Sequence, residues 1–189
     1  VDERSTVDGL IHTHLNEDEV AAACTYFLAE GIEAVAVCFL HAYANSQHEQ
    51  RTAKIVQKLM PSAYVCTSNE ILPEYREFER FSTTALNAFV APRTGRYLTE
   101  LANNLASSGL NTPVRVMASN GGTWPAARMA ERPVNALLSG PAGGVIAATV
   151  LSEALNIHDI ITYDMGGTST DACMIRNGTY GMNPEGMVG

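Results

Sequence analysis

Two carboxylates, two glycines and three hydroxyl residues stand together in Asp164-Met165-Gly166-Gly167-Thr168-Ser169-Thr170-Asp171. The apolar run Ile160-Ile161-Thr162-Tyr163 delivers Asp164 at its end, and Ala172-Cys173-Met174-Ile175 carries the chain away. Lacking Cβ atoms, Gly166 and Gly167 turn tightly and leave their N–H groups open. Successive N–H groups in such a bend form an anion-binding concavity, and Thr168, Ser169 and Thr170 add hydroxyl donors. The carboxylate of Asp164 suits Mg²⁺, an ion that keeps much of its water and takes few protein ligands. The chemistry of this stretch is that of a phosphate-and-metal clasp on a β-hairpin. It is not a Walker A loop, because no Lys follows the glycines, and it lacks the GxGxxG spacing. The same residues also suit an ordinary Gly-rich hairpin turn.

A clasp of this kind needs elements to hold it, and the chain supplies an alternation of helices and strands. Asn16 caps a helix whose first turn holds Glu17, Asp18 and Glu19 and which ends at Gly31. Residues 34–40 form an apolar run of strand length, the pattern of a central strand covered on both faces. A helix over residues 46–60, a strand over 63–67, and a helix over 77–89 that resumes past Pro92 from 94 to 108 follow. Residues 114–118 read as a strand running into Ser119-Asn120-Gly121-Gly122, and 126–130 as a short helix. Pro133 opens a helical stretch over 134–155 with Ser139-Gly140-Pro141-Ala142-Gly143-Gly144 embedded in it. Each glycine inside a helix costs about 1 kcal/mol, so this cluster suggests close approach by another backbone or a ligand. Asn177-Gly178 is a strong hairpin signal, and Asp8-Gly9 marks a turn near the start. The class is α/β, with its internal boundary in the Gly- and Pro-rich region 119–135.

Composition limits the partners. Among 189 residues, 12 Lys+Arg stand against 20 Asp+Glu, a net charge of −8 with no basic run, which argues against nucleic acid. No apolar stretch reaches the roughly 20 residues that span a bilayer. The four dispersed cysteines suit reduced thiols, and with the polar, acid-bearing start they point to a cytoplasmic protein. The start at Val1 and the stop just after a strand-like segment read as an excised piece.

Other candidates have plainer alternatives. His12 and His14 share one strand face as a metal pair, or are surface residues, since no third ligand stands nearby. His41 follows a buried strand, where α/β sites form, or caps a loop. His48 and His158 read as solvated. Glu74, Arg76, Glu77, Glu79 and Arg80 read as salt-bridged helix solvation. Ser119-Asn120-Gly121-Gly122 is a ligand-facing loop or a turn only, and Trp124 is a packing anchor beside it.

A helix of small residues followed by strand, Asp, Gly-Gly-Thr and returning strand resembles the actin, hexokinase and heat-shock-chaperone ATPase superfamily. Further runs narrow the resemblance: Gly31-Ile32-Glu33-Ala34-Val35-Ala36-Val37-Cys38-Phe39-Leu40-His41, then Glu70-Ile71-Leu72-Pro73-Glu74-Tyr75-Arg76-Glu77-Phe78-Glu79-Arg80, and Asn87-Ala88-Phe89-Val90. Together with Ser119-Asn120-Gly121-Gly122, the Ser139–Gly144 run and residues 164–171, they resemble the hydantoinase A/5-oxoprolinase family. The resemblance is similar for N-methylhydantoinases, 5-oxoprolinases and the nucleotide-handling subunits of acetone carboxylases.

The resemblance implies RNase H-like, actin-like lobes. Residues 1–118 would be the remainder of the N-terminal lobe, and 119–189 the start of the second, with the connecting helix and phosphate loop. It implies ATP and Mg²⁺ as cofactors and a cyclic amide or related carbonyl as substrate, activated by ATP for ring opening. A hydantoinase B-type subunit or domain is the implied partner. Asp164 would organise Mg²⁺ and act at the catalytic centre, with Asp171 as a further metal ligand or a turn cap. Gly166, Gly167, Thr168, Ser169 and Thr170 would hold phosphate oxygens, with Ser139, Gly140 and Gly143 of the connecting helix at the nucleotide. A complete member carries a first phosphate loop near its N-terminus and an adenosine segment downstream, neither found here. Two other readings remain: a non-catalytic actin-like or sugar-kinase-like nucleotide switch, and a nucleotide-binding scaffold subunit of a carboxylase-like complex.

Overall fold

The structure is a computed structural model that describes residues 1–110, 112–167 and 169–181. β1 (Arg4–Ser5) and β2 (Ile11–Thr13) pair antiparallel around Gly9, whose φ of 77° the turn requires. α1 (Glu17–Ala29) begins as its sequence dictates: Asn16 Oδ1 accepts the Glu19 N–H at 3.2 Å. β3 (Ala34–Val37), α2 (Gln47–Leu59) and β4 (Tyr64–Thr67) form a β-α-β unit whose two strands are parallel. Val20 and Cys24 of α1, Val56 of α2, Met60 and Ala63 close its core, with Val35 and Val65 of the strands against them. Each fully buried side chain of Val or Met size contributes about 1.5–3 kcal/mol.

The mixed α/β class is as expected, but not as one broad sheet. The described residues form four small sheets, and only the β3–β4 pair is parallel. The apolar run at 34–40 leaves the sheet after Val37 because side chains capture the backbone of Phe39. Glu49 accepts its N–H at 2.8 Å, and Arg80 donates to its carbonyl at 3.0 Å.

After the single turn of α3 (Ser68–Ile71), α4 (Glu77–Ser107) runs unbroken through Pro92. The expected interruption is absent. Proline removes one helical hydrogen bond and crowds the preceding turn, but both halves of α4 are anchored. Ala88 and Ala91 are buried ahead of the ring, and beyond it Leu98 packs with Ala126 and Met129.

β5 (Arg115–Met117) and β6 (Thr123–Pro125) form a hairpin that spans the 118/119 position, and α5 (Ala126–Glu131) follows. Trp124 packs against that core, as its isolation in the sequence suggested. Residues Pro133–Ala136 make a 3₁₀ turn, and α6 (Ser139–Leu155) begins at Ser139 rather than at residue 134. The break is at Leu138, which stands in the left-handed region at φ 60°. The small-residue run therefore occupies the first turns of α6, where Pro141 lacks an N–H that would have no helical partner anyway. β7 (Ile160–Met165), β8 (Thr170–Arg176) and β9 (Thr179–Tyr180) complete an antiparallel sheet. Asn177 and Gly178, at φ 51° and 71°, make the second turn as their dipeptide predicts. Among the described residues no helix is long and apolar enough to cross a membrane.

Candidate functional site

The β7–β8 hairpin pairs in regular register up to its bend. Asp164 lies directly opposite Asp171, Thr162 opposite Cys173 and Ile160 opposite Ile175. Partners in a ladder share a face and alternate along it. Both carboxylates therefore project on the face that buries Ile175, which is fully inaccessible to solvent. Gly166 N–H donates to the Ser169 carbonyl at 2.9 Å and closes the bend. Neither Gly166 nor Gly167 has a heavy atom nearer than 3.7 Å to the position of a Cβ, so the bend is open above its backbone.

α6 packs on β7 and β8, and between them lies an open groove of about 550 Å³. Pro141, Ala142, Gly144 and Val145 of α6 form one wall, Asp164 and Asp171 another, and Ser119 a third. The first turn of α6 has no side-chain cap and no acidic residue, so the N–H groups of Ser139 and Gly140, which have no helical acceptor, remain available to an anion.

The other predicted residues take different places. Ser139 is the first residue of α6. Gly143 faces β5, with Met117 Cε 3.8 Å from where its Cβ would be, while Gly140 meets nothing within 4 Å. Thr170 pairs with Met165 and so projects on the opposite face from the two carboxylates. Ser169 is exposed in the bend. Thr168 lies outside the described residues. His12 and His14 are exposed, and among the described residues no three His, Cys, Asp or Glu side chains cluster to hold a metal.

Two expectations are overturned. His48 is buried, its Nδ1 2.7 Å from Glu3 Oε2, tying α2 to β1. Arg80 is not part of a solvated cluster: it is completely buried. Its Nε donates to Ser68 Oγ at 3.0 Å, Nη1 to the Glu74 carbonyl at 2.6 Å and Nη2 to the Phe39 carbonyl. The guanidinium lies 5.1 Å from the Phe81 ring centroid and 5.5 Å from that of Tyr43. Glu49 faces it across Ser68 and accepts from the Ser68 hydroxyl and from the N–H groups of Phe39 and Asn69. Burial pushes the Glu49 carboxyl above its ordinary range, opposed by those three donors and by Arg80. A signal for Arg80 was present. Arg80, Thr84, Asn87, Ala91 and Leu98 recur at helical spacing, and all five are buried. The Arg76–Glu79 pair, at 3.6 Å, is the exposed ion pair expected there.

Asn87 extends this framework toward the groove. Its amide donates to the Tyr64 hydroxyl at 2.8 Å, and its carbonyl accepts the Val134 N–H at 3.1 Å. β4, α4 and the turn that leads into α6 are thus bonded through one side chain.

A family model described as hydantoinase/oxoprolinase matches residues 80–189, more than half of the chain, and one described as its N-terminal region matches residues 1–60. The chain belongs to the hydantoinase/oxoprolinase family. Within that family it is 38% identical over 171 residues to the caprolactamase subunit alpha of Pseudomonas jessenii, covering 90% of this chain and 25% of the relative. The solved structure of the ATP-dependent caprolactamase from that organism superposes with a TM-score of 0.83 at 38% identity, covering 91% of this chain and 25% of the other. A nucleotide-free acetone carboxylase, from a study of ATP-dependent acetone carboxylation, gives a TM-score of 0.81 at 32% identity, with 93% and 25% covered. The chain spans about a quarter of the length of these hydantoinase/oxoprolinase relatives.

Proposed function

We propose that this chain is part of an ATP-dependent subunit that activates a cyclic amide or related carbonyl for ring opening, and that the β7–β8 hairpin is its phosphate-and-metal clasp. The observation that carries the reading is the juxtaposition of Asp164 and Asp171 at a groove shared with the uncapped first turn of α6. Like charges directly opposite on a ladder destabilise it, and a cation relieves that repulsion. Two carboxylates are enough for Mg²⁺, which retains several waters. Asp164 and Asp171 would hold it, and bound there it would neutralise charge on the phosphates.

Gly166, Gly167 and Ser169, with Thr168, would present N–H and hydroxyl donors to phosphate oxygens, while Thr170, whose side chain projects on the other face, would serve as a turn residue. Ser139, Gly140 and Gly143 would lie in the connecting helix at the nucleotide. Phosphoryl transfer asks the protein mainly for positioning and charge stabilisation, and the rigid seating of the hairpin on α6 serves that need. ATP would supply the phosphoryl group that makes a poorly electrophilic amide open to attack. Both compared enzymes are ATP-dependent by their descriptions, and caprolactamase names a cyclic amide.

The division into actin-like lobes, residues 1–118 and 119–189, belongs to the same proposal, with the β5–β6 hairpin as the crossing element. The caprolactamase relative is itself a subunit, which favours a second, hydantoinase B-type subunit as partner. Titration of the complete subunit with ATP and Mg²⁺ tests the reading. Asp164→Ala should lose ATP turnover, and unchanged turnover in that variant would remove the assignment.

A further inference from the structure

The turn joining β5 to β6 is held more firmly than a surface turn needs. Ala118 N–H donates to the Gly122 carbonyl at 2.8 Å, and Gly121 N–H to the Ala118 carbonyl at 2.9 Å. Ser119 N–H reaches the Asn135 carbonyl at 2.7 Å, and Asn120 Oδ1 accepts the Gly122 N–H at 3.1 Å. Gly121, at φ 86°, is pressed onto α6. A Cβ there would stand 2.2 Å from Ile146 Cδ1 and 3.6 Å from the Tyr180 hydroxyl of β9. The turn is thereby seated on α6, which lines the groove, and on the sheet that carries the two carboxylates.

What this seating presents is Ser119. Its backbone is bonded, its side chain is exposed on the groove wall, and among the described residues its hydroxyl has no intramolecular partner. Oxygens carrying negative charge are the best match to a hydroxyl donor beside a cation held by two carboxylates. We propose that Ser119 binds an anionic oxygen of the phosphoryl group in this groove, and that Gly121 positions it by locking the turn to α6. The proposal rests on the clasp reading and adds a contact from outside the hairpin. A hydrogen bond to a charged group contributes more than a neutral one, so its loss should be measurable in binding.

The test is titration of the complete subunit with a fluorescent nonhydrolysable ATP analogue and Mg²⁺, paired with thermal unfolding. Ser119→Ala should weaken binding about tenfold while leaving the melting temperature unchanged. Ser119→Thr, which keeps the hydroxyl, should stay within about threefold of wild type. Wild-type affinity in Ser119→Ala, together with lost binding in Asp164→Ala, would overturn the role of Ser119 and leave the clasp standing. Equal losses of affinity and of melting temperature in both Ser119 variants would reduce Ser119 to a structural residue. Absence of analogue binding by the wild-type subunit would overturn both proposals together.

Discussion

Glu49 and Arg80, both fully buried, are joined through one hydroxyl: Ser68 donates to Glu49 at 2.6 Å and accepts from Arg80 Nε at 3.0 Å. This bridge closes the end of the β3–β4 pair, since the same two side chains hold the backbone of Phe39. Removing one partner of a buried charge pair leaves the other uncompensated and costs about 3–5 kcal/mol. Arg80→Ala should destabilise the chain by that amount in urea denaturation. Arg80→Lys should rescue little of it, because an ammonium cannot reproduce the planar fork that serves Ser68, Glu74 and Phe39 together.

Alkaline pH should unfold the protein through Cys38, Cys66 and Tyr64. Burial pushes the Cys38 thiol up to about 12, the Cys66 thiol to about 11 and the Tyr64 phenol to about 12. A raised acid favours its protonated form in the folded state, so its stabilisation is complete below the unfolded value and fades as pH rises through the folded one. The unfolded thiols ionise near 9, and stability should decline from there toward pH 12. Replacing Cys38 with Ala should flatten that decline in denaturation midpoints measured across the range. Thiol alkylation at pH 8 should also leave Cys38 and Cys66 unmodified while the chain is folded.

Pro92 sits inside a helix that continues without it. Pro92→Ala supplies the missing N–H and removes the ring's crowding of the preceding turn. It should stabilise the chain by roughly 1–3 kcal/mol, read as a raised urea midpoint with unchanged slope. A lower midpoint would show that the ring packs productively at that position.

The carboxylate pair should trade stability against binding. In metal-free buffer, Asp171→Asn removes a like charge opposite Asp164 and should stabilise the hairpin by about 0.2–1 kcal/mol. Adding Mg²⁺ with nucleotide should then stabilise the wild-type subunit more than the variant. Thermal shift assays with and without the metal measure both effects.

Local rules made much of this architecture readable in advance. The Asn16 cap, the Asp8-Gly9 and Asn177-Gly178 turns, the β-α-β unit and the hairpin around Gly166 all follow from short-range signals. Departures from expectation arise where distant side chains take over the backbone. Phe39 leaves the strand because Glu49 and Arg80 claim it, and Pro92 is tolerated because its helix is anchored on both sides. The start of α6 moves to Ser139 because Leu138 adopts a left-handed conformation that its sequence does not announce. At the site, the Asp164–Asp171 pairing follows from hairpin register. The place of Ser119 at the same groove depends on how the β5–β6 turn rests on α6, a contact no local pattern encodes.

The most direct test of the central claim is a crystal structure of the complete subunit bound to Mg²⁺ and a nonhydrolysable ATP analogue. The account predicts phosphate oxygens against the backbone of Gly166 and Gly167, with the metal held by Asp164 directly or through water. A nucleotide bound elsewhere, with the β7–β8 bend empty and turned away from it, would contradict the account.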